Sequence, residues 1–433
     1  MNENETMGQT AELTLDQRKQ KNFKNYYFYV ELIFYFLQGI YVAGLQVYIT
    51  YYMTHVFNLD YVTIATVASL AALPTYLKMF TGLLSDRVYV GKFGRRKPYL
   101  IMGGILFIPA FIALSTITTF SPVWLGAIIL CNVCFVIVDG TADALTVDIT
   151  PDEHSEKMQG YANGGRYVGM AIGVILASAL PGVIGWQAVA VILGIAAAGQ
   201  AFSTLLFKEL PGAELKEKLI PIKTAIKIGF GNRGAWLGII FALFFMGSMG
   251  MANSIGPVVM NNTSQAVYGA ATMTQYIGVA IGAFFVGQLV NKIGGLTNRN
   301  IMFLFIGIWI LMLPWLLVDG NWDKTALVIL AQASMGIARG AVSVITYGVL
   351  MRLASESIEG FMFSIFTSVM NIGLQMVSIK IIAFFGETKG IGMIPAMYTM
   401  LPMMLIGVLL IPAINKSVEE RREKETLATL SLE

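Results

Sequence analysis

Long apolar stretches alternate with short polar breaks along almost the whole chain. The stretches run to about 20 residues, the length an α-helix needs to cross the hydrocarbon core of a bilayer. Twelve are expected, at about 26–50, 61–83, 98–119, 122–149, 158–182, 185–207, 234–258, 268–290, 300–318, 325–352, 361–385 and 393–414. The polar patch Thr54-His55 ends the first, and Pro122, Pro181 and Gly182 mark short turns between others. The stretch from Met1 to Asn25 is polar, so no cleavable signal peptide is expected. The pattern predicts an all-α membrane protein of twelve transmembrane helices.

Composition agrees with this pattern. The chain is 56% hydrophobic and only 13% charged, with a mean hydropathy of +0.68; a soluble domain carries roughly 25% charged residues. Its 44 glycines suit membrane helices, whose backbones approach closely where side chains are small. The net charge of +3 matters less than its placement. Lys and Arg cluster in alternate loops and at both ends: Arg18 to Lys24, Arg87 to Lys97, Lys157, Lys208 to Arg233, Lys292, Arg299, Arg352 and Lys416 to Lys424. The opposite loops hold Lys324 and Lys389 alone. The positive-inside rule therefore places both termini in the cytoplasm, and the cell membrane is the expected location. The expected organisation is a tail at 1–24, a six-helix bundle at 25–208, a linker at 209–232, a second bundle at 233–415 and a tail at 416–433. Within the linker, Glu214 to Ile220 and the basic run to Lys227 read as an interfacial amphipathic helix. The C-terminal tail reads as a solvated helix or disorder.

The two halves resemble each other. Ile129-Leu130 through Val138-Asp139-Gly140 is answered by Ile329-Leu330 through Ala338-Arg339-Gly340, which puts Asp139 and Arg339 at equivalent mid-helix places. Ionisable residues there are costly and usually mark a pathway or site, and internal repeats are a transporter signature. A second repeat lies in the loops after spans 2 and 8. Gly82-Leu83-Leu84-Ser85-Asp86-Arg87, then Phe93-Gly94-Arg95-Arg96-Lys97-Pro98, is echoed by Gly287-Gln288-Leu289-Val290-Asn291-Lys292 with Gly294, Gly295 and Arg299.

At these residues the chain resembles the major facilitator superfamily, whose motif between spans 2 and 3 is Gly-x-x-x-Asp-Arg followed by Gly-Arg-Arg/Lys. The resemblance covers the whole chain and implies the two pseudo-symmetric six-helix bundles of that fold. The long insert from Val88 to Phe93, with Arg95-Arg96-Lys97-Pro98 after the glycine, is similar to the glycoside–pentoside–hexuronide cation symporters and the sucrose carriers. Against the melibiose-permease type, the sugar-contacting Asp of span 4 matches Asp139 and the span 5 Arg matches Arg166. The sugar-contacting Asp of span 1 falls at Gly39. The two cation-holding aspartates of span 2 fall near Pro74 and at Lys78. The span 11 Lys falls near Asn371, and Lys380 lies more than two turns beyond. These departures direct the expectation from sodium to protons.

At about 100° per residue, Asn132, Asp139, Asp143 and Thr146 lie within about 60° on span 4 and form one polar stripe facing the central cavity. Asp148 points about 180° from Asp139 and suits a partnership with Arg87 or Arg95 in the loop. Glu31, Tyr35 and Gln38 share a face of span 1. Arg166, about 13 Å into span 5, matches the depth of Asp139 and Asp143. A salt bridge there is either a permanent anchor between spans 4 and 5 or a pair that substrate or proton breaks. Two carboxylates one turn apart sharing one arginine are poorly balanced, which suits protonation. The substrate contacts are therefore expected among Asp139, Arg166, Arg339, Asn132, Gln38 and Tyr35, and proton coupling among Asp143, Asp139 and Glu31. Asp143 is the first choice for the protonation switch; Glu31, nearer the cytoplasm, is read as a gate or relay residue or a snorkelling one. Arg339 offers a fork of donors for carboxylate, phosphate or hydroxyls, or else bonds helix carbonyls or Asp139. Lys78 reads as a snorkelling anchor, and Lys380 as either that or vestibule lining. Asp86, Arg87, Arg95 and Arg96, with Asp148, are expected to form a cytoplasmic gate that favours the outward-open state.

Other signals carry little chemistry. Cys131 and Cys134 lie inside a membrane helix and read as packing. His55 and His154 sit at opposite membrane edges, and Asn261 to Ser264 offers glycosylation sequons only in a secretory setting. With no nucleotide motif and no nucleophile–base or metal constellation, an enzyme, a cofactor, a metal and a nucleic-acid partner are not expected. The expectation is a monomeric secondary transporter working by rocking alternating access. Its substrate would be a small polar solute, sugars first, in symport with protons. A proton-driven exporter of amphipathic or anionic compounds is the alternative within transport, and a non-transporting receptor or scaffold is the alternative outside it.

Overall fold

The computed structural model describes residues 15–59, 94–209, 230–231, 233–290, 292–293, 296–354 and 359–430, together with Val67, Leu70, Ala71, Pro74, Lys78, Thr81, Ser85, Lys223 and Lys227. The loop residues Asp86 and Arg87 and the linker from Leu210 to Ile222 lie outside the described residues, as does most of span 2.

The fold is all-α, with twelve spans in two six-helix bundles. Among the described residues nine helices are long and apolar enough to cross a membrane. Span 1 is Tyr27–His55, span 3 Lys97–Thr116, span 4 Pro122–Ile149, span 5 Ser155–Ala179 and span 6 Trp186–Ser203. In the second half, span 8 is Gln265–Leu289, span 9 begins with Leu296–Leu311, and span 10 is Thr325–Leu353. Span 4 starts cleanly because Ser121 accepts the Trp124 amide proton and Pro122 fills the first turn. Span 12 closes with Leu401–Leu430, so the tail to Leu430 is helical.

Spans 7 and 11 are not continuous α-helices. Span 7 passes from Arg233–Phe241 through a π turn, Ala242–Met246, and a 3-10 turn, Gly247–Gly250, into Met251–Asn262. Span 11 carries π turns at Gly373–Val377 and Phe384–Thr388. The irregular stretches meet. The Ser378 hydroxyl donates to the carbonyls of Gly247 and Gly373, and a Cβ on Gly373 would lie 3.2 Å from the Gly247 Cα. A hydroxyl that satisfies carbonyls freed by widened turns is how such a helix survives in lipid.

The pseudo-symmetry shows in helix packing. A Cβ on Gly140 would fall 2.2 Å from Thr81 Oγ1, so this glycine admits span 2 against span 4. A Cβ on Gly340 would fall 2.1 Å from the Val279 carbonyl, so the equivalent glycine admits span 8 against span 10. Spans 2 and 8 are themselves equivalents in the repeat. Spans 1 and 5 touch backbone to backbone along Gly165, Gly169 and Gly173, the small-residue stripe expected of close membrane helices.

The bundles meet on the side that carries both ends of the chain. There the Arg352 guanidinium of span 10 pairs with Glu156 of span 5, and Gln159 Nε2 donates to Met351 Sδ at 3.2 Å. Gly160 and Gly287 let spans 5 and 8 cross in near backbone contact. Val147, near the end of span 4, is buried within the second bundle's apolar core.

Candidate functional site

The two polar stripes read from spans 1 and 4 face each other as antiparallel helices and pair rung by rung. Thr146 Oγ1 donates to Glu31 at 2.9 and 3.1 Å, Tyr35 OH to Asp143 Oδ1 at 2.5 Å, and Gln38 Nε2 to Asp139 Oδ1 at 2.8 Å. All six side chains are buried. The i, i+4 and i+7 spacing of Glu31, Tyr35 and Gln38 on span 1 meets the i, i−3 and i−7 spacing of Thr146, Asp143 and Asp139 on the antiparallel span 4, which is why one helical face matches the other.

Two cations complete this ladder. Arg166 Nη2 donates to Asp139 Oδ1 at 2.9 Å, and its guanidinium lies 4.5 Å from the centre of the Tyr35 ring. Lys78 bridges both carboxylates, donating to Asp143 Oδ2 at 2.8 Å and to Asp139 Oδ2. The snorkelling reading of Lys78 is therefore corrected. Its side chain is 13% accessible and turns inward between two acids. The expectation that Asp139 and Asp143 share one arginine is corrected with it, because two carboxylates and two cations balance. Gly140 makes this possible, since the span 2 positions carrying Thr81 and the Lys78 stem pack where its side chain would be.

Glu31 differs from its neighbours. Its carboxyl is 1% exposed, and among the described residues no basic group lies within salt-bridge distance of it. Asn132 bonds the Ile128 carbonyl of its own helix and stays outside the ladder.

Arg339 enters from the second bundle. Its guanidinium sits 5.4 Å from the centre of the Tyr167 ring, and Nη1 donates to Asn253 Oδ1 at 2.9 Å. Tyr167 also meets Tyr276, with ring centres 6.0 Å apart. Gln275 Nε2 donates to Gln332 Oε1 at 2.9 Å beside it in sequence. The first bundle's ladder and Arg339 thus face each other across the contact of spans 5 and 10. Lys380 is exposed.

A second cluster lies on the side of the chain ends. Asp148 accepts from Arg95 Nη2 and, at 2.9 Å, from Arg96 Nε, while Arg96 Nη1 donates to Ser85 Oγ at 2.6 Å. Glu209 accepts the backbone N–H groups of Arg95, Arg96 and Lys97 at 2.7, 3.1 and 2.7 Å, capping span 3. Its carboxylate fits because residue 94 is glycine at φ 97°, and a Cβ there would lie 2.5 Å from Glu209 Oε2. Glu156, Arg352 and Glu209 were not singled out from sequence, because lone charges at membrane edges look alike until their partners are known.

Two bundles, a charged ladder between helices at mid-depth and a charged closure at one end define a secondary transporter. Among the described residues no cluster of metal-ligating side chains occurs. The chain belongs to the Major Facilitator Superfamily, whose profile matches residues 32–263 and 237–431. It is similar in fold to a crystal structure of a variant of the E. coli fucose:proton symporter FucP, with a TM-score of 0.68 at 11% identity over 89% of this chain and 98% of that one. The same figures hold for FucP described as a superfamily transporter in the outward conformation. No curated protein matches the sequence.

Proposed function

We propose that this protein is a proton-coupled symporter of small polyhydroxylated solutes, with sugars and glycosides as the substrate class. The observation that carries the reading is the Glu31 carboxyl, buried without a basic partner among the described residues, next to a ladder whose other charges cancel. An uncompensated carboxylate is expensive at that depth, so Glu31 is the group to load and unload a proton as the carrier turns over. Asp143 is coupled to it through the same pair of helices and remains the second candidate. Asp139, held by Gln38, Arg166 and Lys78, presents the hydroxyl-binding face of the first bundle together with Tyr35. The fold likeness to a fucose:proton symporter supports both sugar and proton. The long motif loop ending in Arg95-Arg96-Lys97-Pro98 favours the glycoside–pentoside–hexuronide branch. Lys78 occupies the space between the two acids with its own ammonium, which argues against sodium as the coupling ion.

The bundles at about 25–208 and 233–415 would rock about this site as a monomer in the cell membrane, with both termini cytoplasmic. On that orientation the end joined by Glu156 and Arg352 is the cytoplasmic one. Arg95, Arg96 and Asp148, with Asp86 and Arg87, would brace the first bundle's gate, and Glu156–Arg352 would latch it to the second. Counterflow of labelled sugars in proteoliposomes tests the reading. Exchange that is independent of sodium and accelerated by protons is expected; stabilisation by sugars without any exchange would favour a receptor instead.

A further inference from the structure

We propose that Arg339 is an anchor for a carboxylate on the substrate, so that the transported solute is a sugar acid rather than a neutral sugar. The proposal rests on the sugar-transport reading and narrows its substrate class. Charge accounting motivates it. In the first bundle Asp139 and Asp143 are matched by Lys78 and Arg166. In the second half every acidic residue falls outside the apolar stretches of the sequence: Asp319, Asp323, Glu356, Glu359 and Glu387, then those beyond Lys416. Arg339 therefore carries a permanent charge at mid-helix in a bundle that has no acid at that depth. Among the described residues no carboxylate lies within ion-pair distance of it.

The donors of Arg339 tell the same story. Nη1 is engaged by a neutral amide, Asn253, and the ring face of Tyr167 covers the guanidinium. Nε is buried with no acceptor. Nε and Nη2 form the edge of a guanidinium that takes a carboxylate through two parallel hydrogen bonds. A structural arginine would have its fork filled by helix carbonyls or an acid. Here that edge lacks an acceptor, next to aromatic rings of the kind that stack on sugar faces. Arg166, one residue from Tyr167, is already held by Asp139, so a second anion site on span 5 is not implied. A substrate lying between the bundles would place its hydroxyls against the Asp139 ladder and its carboxylate against Arg339. Its charge would then cancel the one that the protein leaves uncompensated.

The test is paired binding to the purified full chain at constant pH and ionic strength: D-glucuronate against D-glucose, D-galacturonate against D-galactose, and D-gluconate against D-glucitol. We expect at least one acid to bind tenfold more tightly than its neutral partner or better. Arg339→Gln should erase that difference and Arg339→Lys should keep part of it, with melting temperature and gel-filtration profile verifying that both variants fold. Neutral sugars binding as well as their acids would overturn the proposal and leave the sugar-transport reading intact. An acid preference that survives Arg339→Gln would also overturn it. If simple carboxylates such as lactate bind through Arg339 while no sugar of either kind does, the anion anchor stands and the sugar reading falls.

Discussion

At the residue scale, the central fact is that Lys78 and Arg166 divide two carboxylates between them. Removing one member of a buried, hydrogen-bonded charge group leaves the others unmatched, which typically costs about 3–5 kcal/mol. Lys78→Ala should therefore lower the thermal stability of the purified protein markedly, and Lys78→Ala with Asp143→Asn should recover much of the loss. An unchanged melting temperature in the single variant would show that Lys78 does not bridge the acids. The stripes on spans 1 and 4 were legible in the sequence because helical periodicity alone puts Glu31, Tyr35 and Gln38 on one face and Asp139, Asp143 and Thr146 on another. That they would face each other was not legible, since periodicity gives a direction on each helix but not the neighbour it meets. Lys78 was misread for the same reason. A lysine near the end of an apolar stretch has two places to reach, and only the acids across the helix contact decide between them.

At the element scale, glycine sets which helices touch. Gly140 admits span 2, and Gly340 admits span 8, at equivalent places in the repeat. Gly140→Leu should push Thr81 and Lys78 off span 4 and abolish substrate binding even though no charge is changed. Gly126, with open space around it, should tolerate the same substitution. Equal binding by both variants would contradict the account. The number and order of the spans were legible from apolar length alone. The π turns of spans 7 and 11 were not, because they depend on the crossing at Gly247, Gly373 and Ser378 rather than on local propensity. Span 5 is less apolar than spans 1, 3, 4, 6, 8 and 10 for a related reason. Its surface is covered by spans 1, 8 and 10, so glycine and polar groups serve it better than leucine.

At the scale of the whole molecule, the bundles are joined on one side by Glu156–Arg352 and by the glycine crossing at Gly160 and Gly287. Glu156→Gln should weaken that closure and shift the population toward the alternate state. A tenfold shift corresponds to about 1.4 kcal/mol, and spin-label distances between the adjoining ends of spans 5 and 10 would read it. Unchanged distances would mean that apolar packing, with Val147 seated in the second bundle, holds the closure unaided. The central claim is that Glu31 carries the coupling proton, and the most direct measurement separates exchange from accumulation. In proteoliposomes, Glu31→Gln should keep sugar counterflow near the wild-type rate and lose uphill uptake driven by an imposed pH gradient. Uphill uptake by Glu31→Gln equal to the wild type would contradict the account.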